Sequence, residues 1–225
     1  FKLVAAPSPY IQESVQMTIQ GSDASAPHVI LGAHLDSINS SGWSGTGANA
    51  PGADDDASGI GAVTEVIRTI MEQKLKPRST IDIFGYAAEE YGLIGSRAIA
   101  EQYSKAHIPV KGALQLDMVA WPGSNKAVTF INDNVNAELT AWTKQIFTLY
   151  IGGPILDERC GYGCSDHASW NRYGYPSVMP FESPMREMNN RIHTDSDLWD
   201  QFLDSEYAAK FAKLAYAFVA LLSSN

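Results

Sequence analysis

Three features of the 225-residue sequence predict an α/β fold, with a mostly parallel mixed central sheet covered by helices on both faces. Segments rich in β-branched and apolar residues alternate with longer amphipathic ones, the pattern of strands joined by helical crossovers. One of the longer stretches places Ile60, Val63, Val66, Ile67 and Ile70 at helical spacing, which makes a single buried stripe. The third feature is positional: His34 and Asp36 follow HVILGA, Glu89 and Glu90 follow TIDIFGYAA, and Asp117 follows ALQL. All of these residues fall at C-terminal ends of expected strands, the edge where open α/β sheets bind ligands.

The elements follow in order. SVQMTIQG from Ser14 and HVILGAH from His28 are strands, and the GSDASAP between them is expected to make a hairpin at one sheet edge. The segment from Asn39 to Pro51 is rich in Gly, Ser and Asn and reads as a flexible loop. The helix of the Ile60 stripe has Ser58 near its start and Lys74 and Lys76 near its end, where cations suit the helix dipole. STIDIFGYA from Ser79 is the next strand, and Gly95 to His107 the next helix. VKGALQLDMV from Val110 and AVTFIND from Ala127 are further strands, followed by a helix from Ala137 to Tyr150. PSVMPFE from Pro176 is the last strand, and a helix from about Ser205 to Leu222, capped by Asp204 or Ser205, ends the chain. No internal repeat interrupts this order, and residues 1–225 are expected to form a single catalytic domain.

At 45% hydrophobic and 18% charged, the composition is that of an ordinary globular domain. The longest apolar run, LAYAFVALL, is far shorter than the ~20 residues of a membrane span, and Lys210 and Lys213 lie just upstream, so no membrane partner is expected. A net charge of −9 argues against a nucleic-acid partner, whose binding runs on Lys and Arg clusters. A carboxylate-rich centre suits a cationic group instead, such as a free amine. Cys160 and Cys164 stand in CGYGC, where two reduced thiols, half a zinc site and a short-loop disulfide all fit. The lone pair lacks the second ligand pair of a structural zinc site, and the disulfide suits a secreted protein. FKLVAAPSPY has no signal-peptide tract, so the chain reads as a mature form or as one that begins inside a longer protein.

The candidate chemistry centres on YAAEEYGLIGS, set between HLD at His34 and PGADDDASG at Asp54 to Asp56 on one side, and LDM at Asp117 and RIHT at His193 on the other. A catalytic zinc takes about three protein ligands and leaves a position for water, and two ions ~3.5–4 Å apart can share a bridging ligand. Two His and three carboxylates, one of them bridging, supply both ions. Successive side chains at a strand end point in opposite directions, so a turn is needed to bring Glu89 and Glu90 to one site. One of the pair would bind metal and the other would move a proton. Singly, each residue has a plainer reading. An HxD fits a surface His and a capping Asp, acidic residues before a helix usually cap it, and His193 fits a loop histidine. Three consecutive aspartates nevertheless repel one another without a cation, and Asp117 in LQLDMVAW is costly to bury unless it is paired or metal-bound. His28, His107 and His167 lack such context, although His167 in CSDHASW is a candidate supporting group.

HLDS, PGADDDASG, AAEEYGLIGS, LQLDM, CGYGCSDHASW and NRIHTDSD, in this order and at these separations, resemble the M28 metallopeptidases, and within them the secreted bacterial leucyl aminopeptidases with a co-catalytic zinc pair. The resemblance runs from about Ser14 to the C-terminus. It implies the zinc-exopeptidase (phosphorylase/hydrolase-like) fold and two Zn2+ per chain. Asp55 would bridge the ions, His34 and Asp117 would complete one, and Glu90 and His193 the other. Glu89 would be the general base, taking a proton from water that attacks the scissile carbonyl. Asp36 would orient His34, Ser165 would support His193, Tyr162 would donate to the oxyanion, and the Asp55–Asp56 peptide is a candidate for a cis bond. The side-chain pocket would be formed by Met118, Ile131, Tyr162, Met179, Phe181 and Ile192. Met185 and Met188 stand where close relatives carry aromatics, which implies a broader pocket for Leu, Met and Phe.

The implied protein is a secreted monomeric aminopeptidase acting on a peptide with a free N-terminus. The secreted relatives carry a helical segment before the first matching strand, so helix cover of the sheet edge is expected to be missing or differently supplied here. Three rivals share the fold. Single-zinc glutaminyl cyclases transfer an acyl group without water. Carboxypeptidase or dipeptidase relatives need an Arg near the metals, for which Arg159, Arg186 and Arg191 are candidates. Metal-free binding ectodomains generally lose ligands that this sequence keeps.

Overall fold

The protein is described by a computed structural model over residues 12–40 and 48–224. The opening FKLVAAPSPY and most of the Gly-rich stretch within Asn39 to Pro51 lie outside the described residues. In chain order the elements are β1 (Val15–Ile19), β2 (His28–His34), α1 (Ala57–Glu72), β3 (Ile81–Tyr86), α2 (Ile94–Lys105), β4 (Val110–Gln115), β5 (Val128–Ile131), α3 (Ala137–Tyr150), β6 (Ile155–Glu158), α4 (His167–Arg172), β7 (Ser177–Val178), β8 (Pro180–Phe181) and α5 (Ser205–Ser224), with a 3-10 turn at Met185–Glu187 before α5.

Five strands form the main sheet in the order β1-β3-β2-β4-β7. All neighbours are parallel except β1, which runs antiparallel to β3. β2 sits centrally because its run Val-Ile-Leu-Gly-Ala is apolar on both faces, as a doubly covered parallel strand must be. The expected hairpin between β1 and β2 does not form, since β3 lies between them. Composition explains the order: β3 is buried along almost its whole length, whereas β1 alternates with exposed positions and belongs at an edge. Gln16 and Thr18 of β1 reach across to the buried Asp82 carboxylate of β3, at 3.0 and 2.6 Å.

The stretch read as one strand, PSVMPFE, divides between two sheets. β7 pairs with β4 in the main sheet, while β8 pairs with β5 in a second sheet of order β6-β5-β8. Pro180 stands at the division, where its missing N–H suits an interrupted ladder. β6 and the short α4 were not anticipated. β6 has only four residues and α4 six, too few for either to impose a period on the sequence.

Alternation along β2 divides the core. Val29, Leu31 and Ala33 face α1, α3 and α5, packing with Val63, Val66, Ile70, Phe147, Phe211 and Phe218. Ile30 faces the other side with Phe84, Tyr86, Ile99, Tyr103 and Trp170, under α2 and α4. Helices therefore cover both faces. α1 falls where its periodicity puts it, α3 spans the expected Ala137–Tyr150, and Asp204 caps α5 by accepting the Tyr207 N–H at 3.0 Å.

Two close fits on the α2/α4 side are sensitive to substitution. The Tyr86 hydroxyl accepts the Trp170 indole N–H at 2.8 Å, and a Cβ added at Gly32 would lie 2.2 Å from the Tyr86 ring. His167, at the start of α4, is fully enclosed, and burial pushes its imidazole down to about 4, against the weaker opposing effect of the Asp133 carbonyl. Gly32→Ala is expected to lower the unfolding free energy by about 1–3 kcal/mol in urea denaturation, with the mutant reporting overpacking. The His167 shift has a definite sign. The unfolded imidazole protonates near 6.5 and the native one only near 4, so its stabilising contribution is full above 6.5 and is lost as pH falls toward 4. The stability gap between wild type and His167→Gln is therefore expected to narrow by about 2 kcal/mol between pH 7 and pH 5; a gap independent of pH would show that His167 is not held neutral.

Candidate active site

Three parallel neighbours, β3, β2 and β4, end at the same edge of the main sheet. Glu89 and Glu90 after β3, His34 at the end of β2 and Asp117 after β4 are consequently brought together. One buried carboxylate ties these ends. Asp56 accepts the His34 N–H (3.0 Å), the Gly59 N–H at the start of α1 (3.0 Å) and the Met118 N–H beyond β4 (3.2 Å). The Asp55–Asp56 peptide is cis. Asp197 accepts the Asp54 and Asp55 N–H groups, both at 3.1 Å, so the backbone of the three aspartates is held from two sides and the Asp55 side chain is left to face the cavity.

The five candidate ligands form two sets that share Asp55. His34 Nε2 lies 2.9 Å from Asp55 Oδ1 and 3.6 Å from Asp117 Oδ1, while His193 Nε2 lies 3.0 Å from both Asp55 Oδ2 and Glu90 Oε2. Within each trio, His34–Asp55–Asp117 and Asp55–Glu90–His193, the donor atoms all fall within 4.8 Å of one another. His34 Nε2 is buried and makes no hydrogen bond, and Glu90 Oε1 is likewise without one. Imidazole nitrogen and carboxylate oxygen in trios of this kind are the donor set of catalytic zinc, so the residues present fit a pair of such ions. The charge balance agrees. Burial, then the Asp166 and Asp117 charges, push Glu89 up to about 10, and burial likewise raises Asp56, Asp166 and Glu90. A cluster this rich in buried carboxylates is relieved by cations.

Asp36 does not orient His34 in the expected way. Its backbone carbonyl, 2.9 Å from Nδ1, takes that role, and its carboxylate stays 3.7 Å away. The carboxylate instead accepts the Glu89 and Glu90 N–H groups at 3.0 and 3.1 Å, because those two amides sit in a tight turn with no strand partner. That turn, with Ala88 at φ +55°, turns both glutamates to the cavity. Ser165 also departs from expectation: its buried hydroxyl has no partner and no hydrogen bond joins it to His193, since it is enclosed at the start of α4 while His193 Nε2 faces Asp55 and Glu90.

A cavity of about 340 Å³ opens over the cluster. Met118, Tyr162, Met179, Phe181, Met185, Met188 and Ile192 line it, together with Gly92 and Leu93, which sequence reasoning did not single out. Both of the latter have positive φ, and their place just beyond Tyr91, which follows the glutamate pair, is the available signal. Ile131 does not line the cavity. It lies in β5, wholly buried behind Met118, Met179 and Phe181, with its N–H on the Met179 carbonyl at 3.0 Å. Cys160 and Cys164 form a disulfide that closes one wall. Asp133 holds that loop by accepting the Cys160 and Gly161 N–H groups, and Tyr162 stands out from it, 67% exposed. His167 lies beneath, against the Asp133 carbonyl, and has no contact with the ligand set.

None of the three candidate arginines lines the cavity. Arg191 pairs with Asp200 at 2.6 Å and lies over the Trp121 ring at 5.0 Å, Arg186 is 81% exposed beside Glu187, and Arg159 is exposed. His28 belongs to the opposite end of β2, where Nδ1 meets Asp82 at 2.6 Å.

Known proteins resemble this chain in sequence and in fold. The sequence profile described as Peptidase family M28 matches residues 14–219. Leucine aminopeptidase 1 of Arthroderma otae is 41% identical over 224 residues, covering 95% of this chain and 59% of that protein. The LapA aminopeptidase of Legionella pneumophila superposes with a TM-score of 0.88 at 34% identity, over 100% of this chain and 58% of that one. The chain thus spans about three fifths of the length of these relatives. A glutaminyl cyclase from an Acidobacteriales bacterium, TM-score 0.77 at 15% identity over 95% of this chain and 74% of its own, shares the fold alone. With the profile, the identity and the superposition in agreement, the chain belongs to Peptidase family M28.

Proposed function

We propose that this chain carries the catalytic centre of a zinc-dependent aminopeptidase, which hydrolyses the N-terminal peptide bond of peptides with a free N-terminus. The reading rests on the way Asp55 turns one carboxylate oxygen to His34 and the other to His193. His34 and Asp117 would hold one ion, Glu90 and His193 the other, and Asp55 both. A zinc pair bound there supplies Lewis-acid polarisation of a carbonyl and lowers the pKa of water.

The chain's own groups do the rest. Glu89, beside Glu90 but outside both ligand trios, takes a proton from the attacking water and returns it to the departing amine as the C–N bond breaks. Tyr162, on the cavity wall, donates to the oxyanion of the tetrahedral intermediate. The methionine-rich wall receives the N-terminal side chain, and its flexible thioethers suit Leu, Met and Phe alike. Among the described residues the cavity is lined by carboxylates and not by an arginine, which favours an amine terminus over a carboxylate terminus. The disulfide fits a secreted protein. Among the described residues no helix is long and apolar enough to cross a membrane.

The expected result is hydrolysis of leucine p-nitroanilide but not of its N-acetylated form, lost on chelation and recovered with zinc. Equal cleavage of the acetylated form would remove the aminopeptidase reading, and one metal per chain with no hydrolysis would turn it toward cyclase-like acyl transfer. Glu89→Gln should retain its zinc and lose about 10²–10⁴-fold in kcat; an unchanged kcat removes Glu89 as the base. A panel of aminoacyl nitroanilides should give similar rates for Leu, Met and Phe, and a steep preference for Leu over Phe would count against the broad pocket.

A further inference from the structure

The segment that delivers His193 also carries Met188 and Ile192 of the cavity wall, and it lies far in sequence from the aspartates that His193 must meet. Its side chains fasten it to them on either side of His193. Downstream, the Asp197 carboxylate takes the Asp54 and Asp55 N–H groups, and the Asp197 carbonyl takes that of Ala53 at 3.1 Å. Upstream, Asn189 is wholly buried and uses both ends of its amide. Nδ2 donates to Asp54 Oδ2 at 3.0 Å, while Oδ1 accepts the Arg191 N–H at 3.1 Å and shapes the turn that leads to His193. Asp54 itself does not line the cavity; its other oxygen accepts the Ala120 N–H at 3.3 Å.

We infer that Asn189 is a positioning residue, which fixes the His193 segment against the Asp54–Asp56 loop so that Asp55 and His193, from distant parts of the chain, present one metal site. It touches neither metal nor substrate. A His193 that wandered by an ångström would leave the Asp55–Glu90–His193 trio with two donors, while His34 and Asp117, tied through Asp56, would be unaffected. The amide group serves because one end must donate to a carboxylate and the other accept from a backbone N–H, and neither an ionised Asp nor Leu does both.

The inference rests on the zinc-pair reading, and zinc titration of the full chain separates the two. Wild type is expected to take up two zinc ions; uptake of one or none would overturn the pair itself and this inference with it. Given two in the wild type, Asn189→Ala should bind one ion as before and the other about 10–100-fold more weakly, the range seen when groups supporting a ligand are removed. Asn189→Asp alone, which sets two carboxylates face to face, should lose the second ion in the same way. Combined with Asp54→Asn, it exchanges donor and acceptor and should recover the second ion. Unchanged two-ion binding by Asn189→Ala, or a double variant that binds no better than Asn189→Asp alone, would overturn the positioning role. The exchange also decides the matter should Asn189→Ala fail to fold, since loss of general stability would not be repaired by reversing one hydrogen bond.

Discussion

The site depends first on the carboxylate of Asp56, which faces neither the cavity nor solvent. Three backbone N–H groups end on it, from the close of β2, the opening of α1 and the turn beyond β4. Each is a bond to a buried acceptor, worth about 1.5–3 kcal/mol when that acceptor is charged. The arrangement converts a general property of parallel sheets, strand ends gathered on one edge, into a fixed spacing between His34 and Asp117. Asp36 acts in the same way for the neighbouring strand, holding the amides of both glutamates. Two acidic groups outside both candidate trios thus set the spacing of residues within them.

Much of this was legible in the sequence. The five candidate ligands, the glutamate pair and most of the residues that line the cavity could be named from motifs resembling a known family, several of them at the ends of expected strands, and α1 from an apolar stripe long enough to establish a period. What was not legible depends on choices among near neighbours. His34 Nδ1 has the carbonyl and the carboxylate of the same Asp36 within reach, and only the demand of two unpaired amides in the following turn decides between them. Ile131 and Phe181 look alike as apolar residues near a pocket, yet β5 turns the first away and β8 turns the second in. At β1, adjacency in sequence favours a hairpin with β2, whereas burial favours β3 as the partner of the central strand. Asn189 and Asp197 carried no local signal, since what they do is defined by a loop more than 130 positions away.

Family membership and fold bear differently on chemistry. The fold is shared with a glutaminyl cyclase at low identity, so the sheet and its helices do not by themselves distinguish attack by water from internal acyl transfer. What can differ between chains of one fold is the set of side chains around the cavity, here the carboxylates around Asp55 and the methionine-rich wall. Both are built from side chains on loops and strand ends, where the core imposes little.

The passage of the chain from β7 to β8 has a consequence for how such a pocket can change. Val178 belongs to the sheet whose edge gathers His34, Glu89, Glu90 and Asp117, Phe181 to the small sheet, from which it reaches the cavity wall, and Met179 between them lines the cavity itself. The pocket is therefore a seam between two scaffolds joined by a short stretch made rigid by proline. Substitution at Met179 or Phe181 can thus reshape the cavity while the strand ends that gather His34, Glu89, Glu90 and Asp117 stay in place.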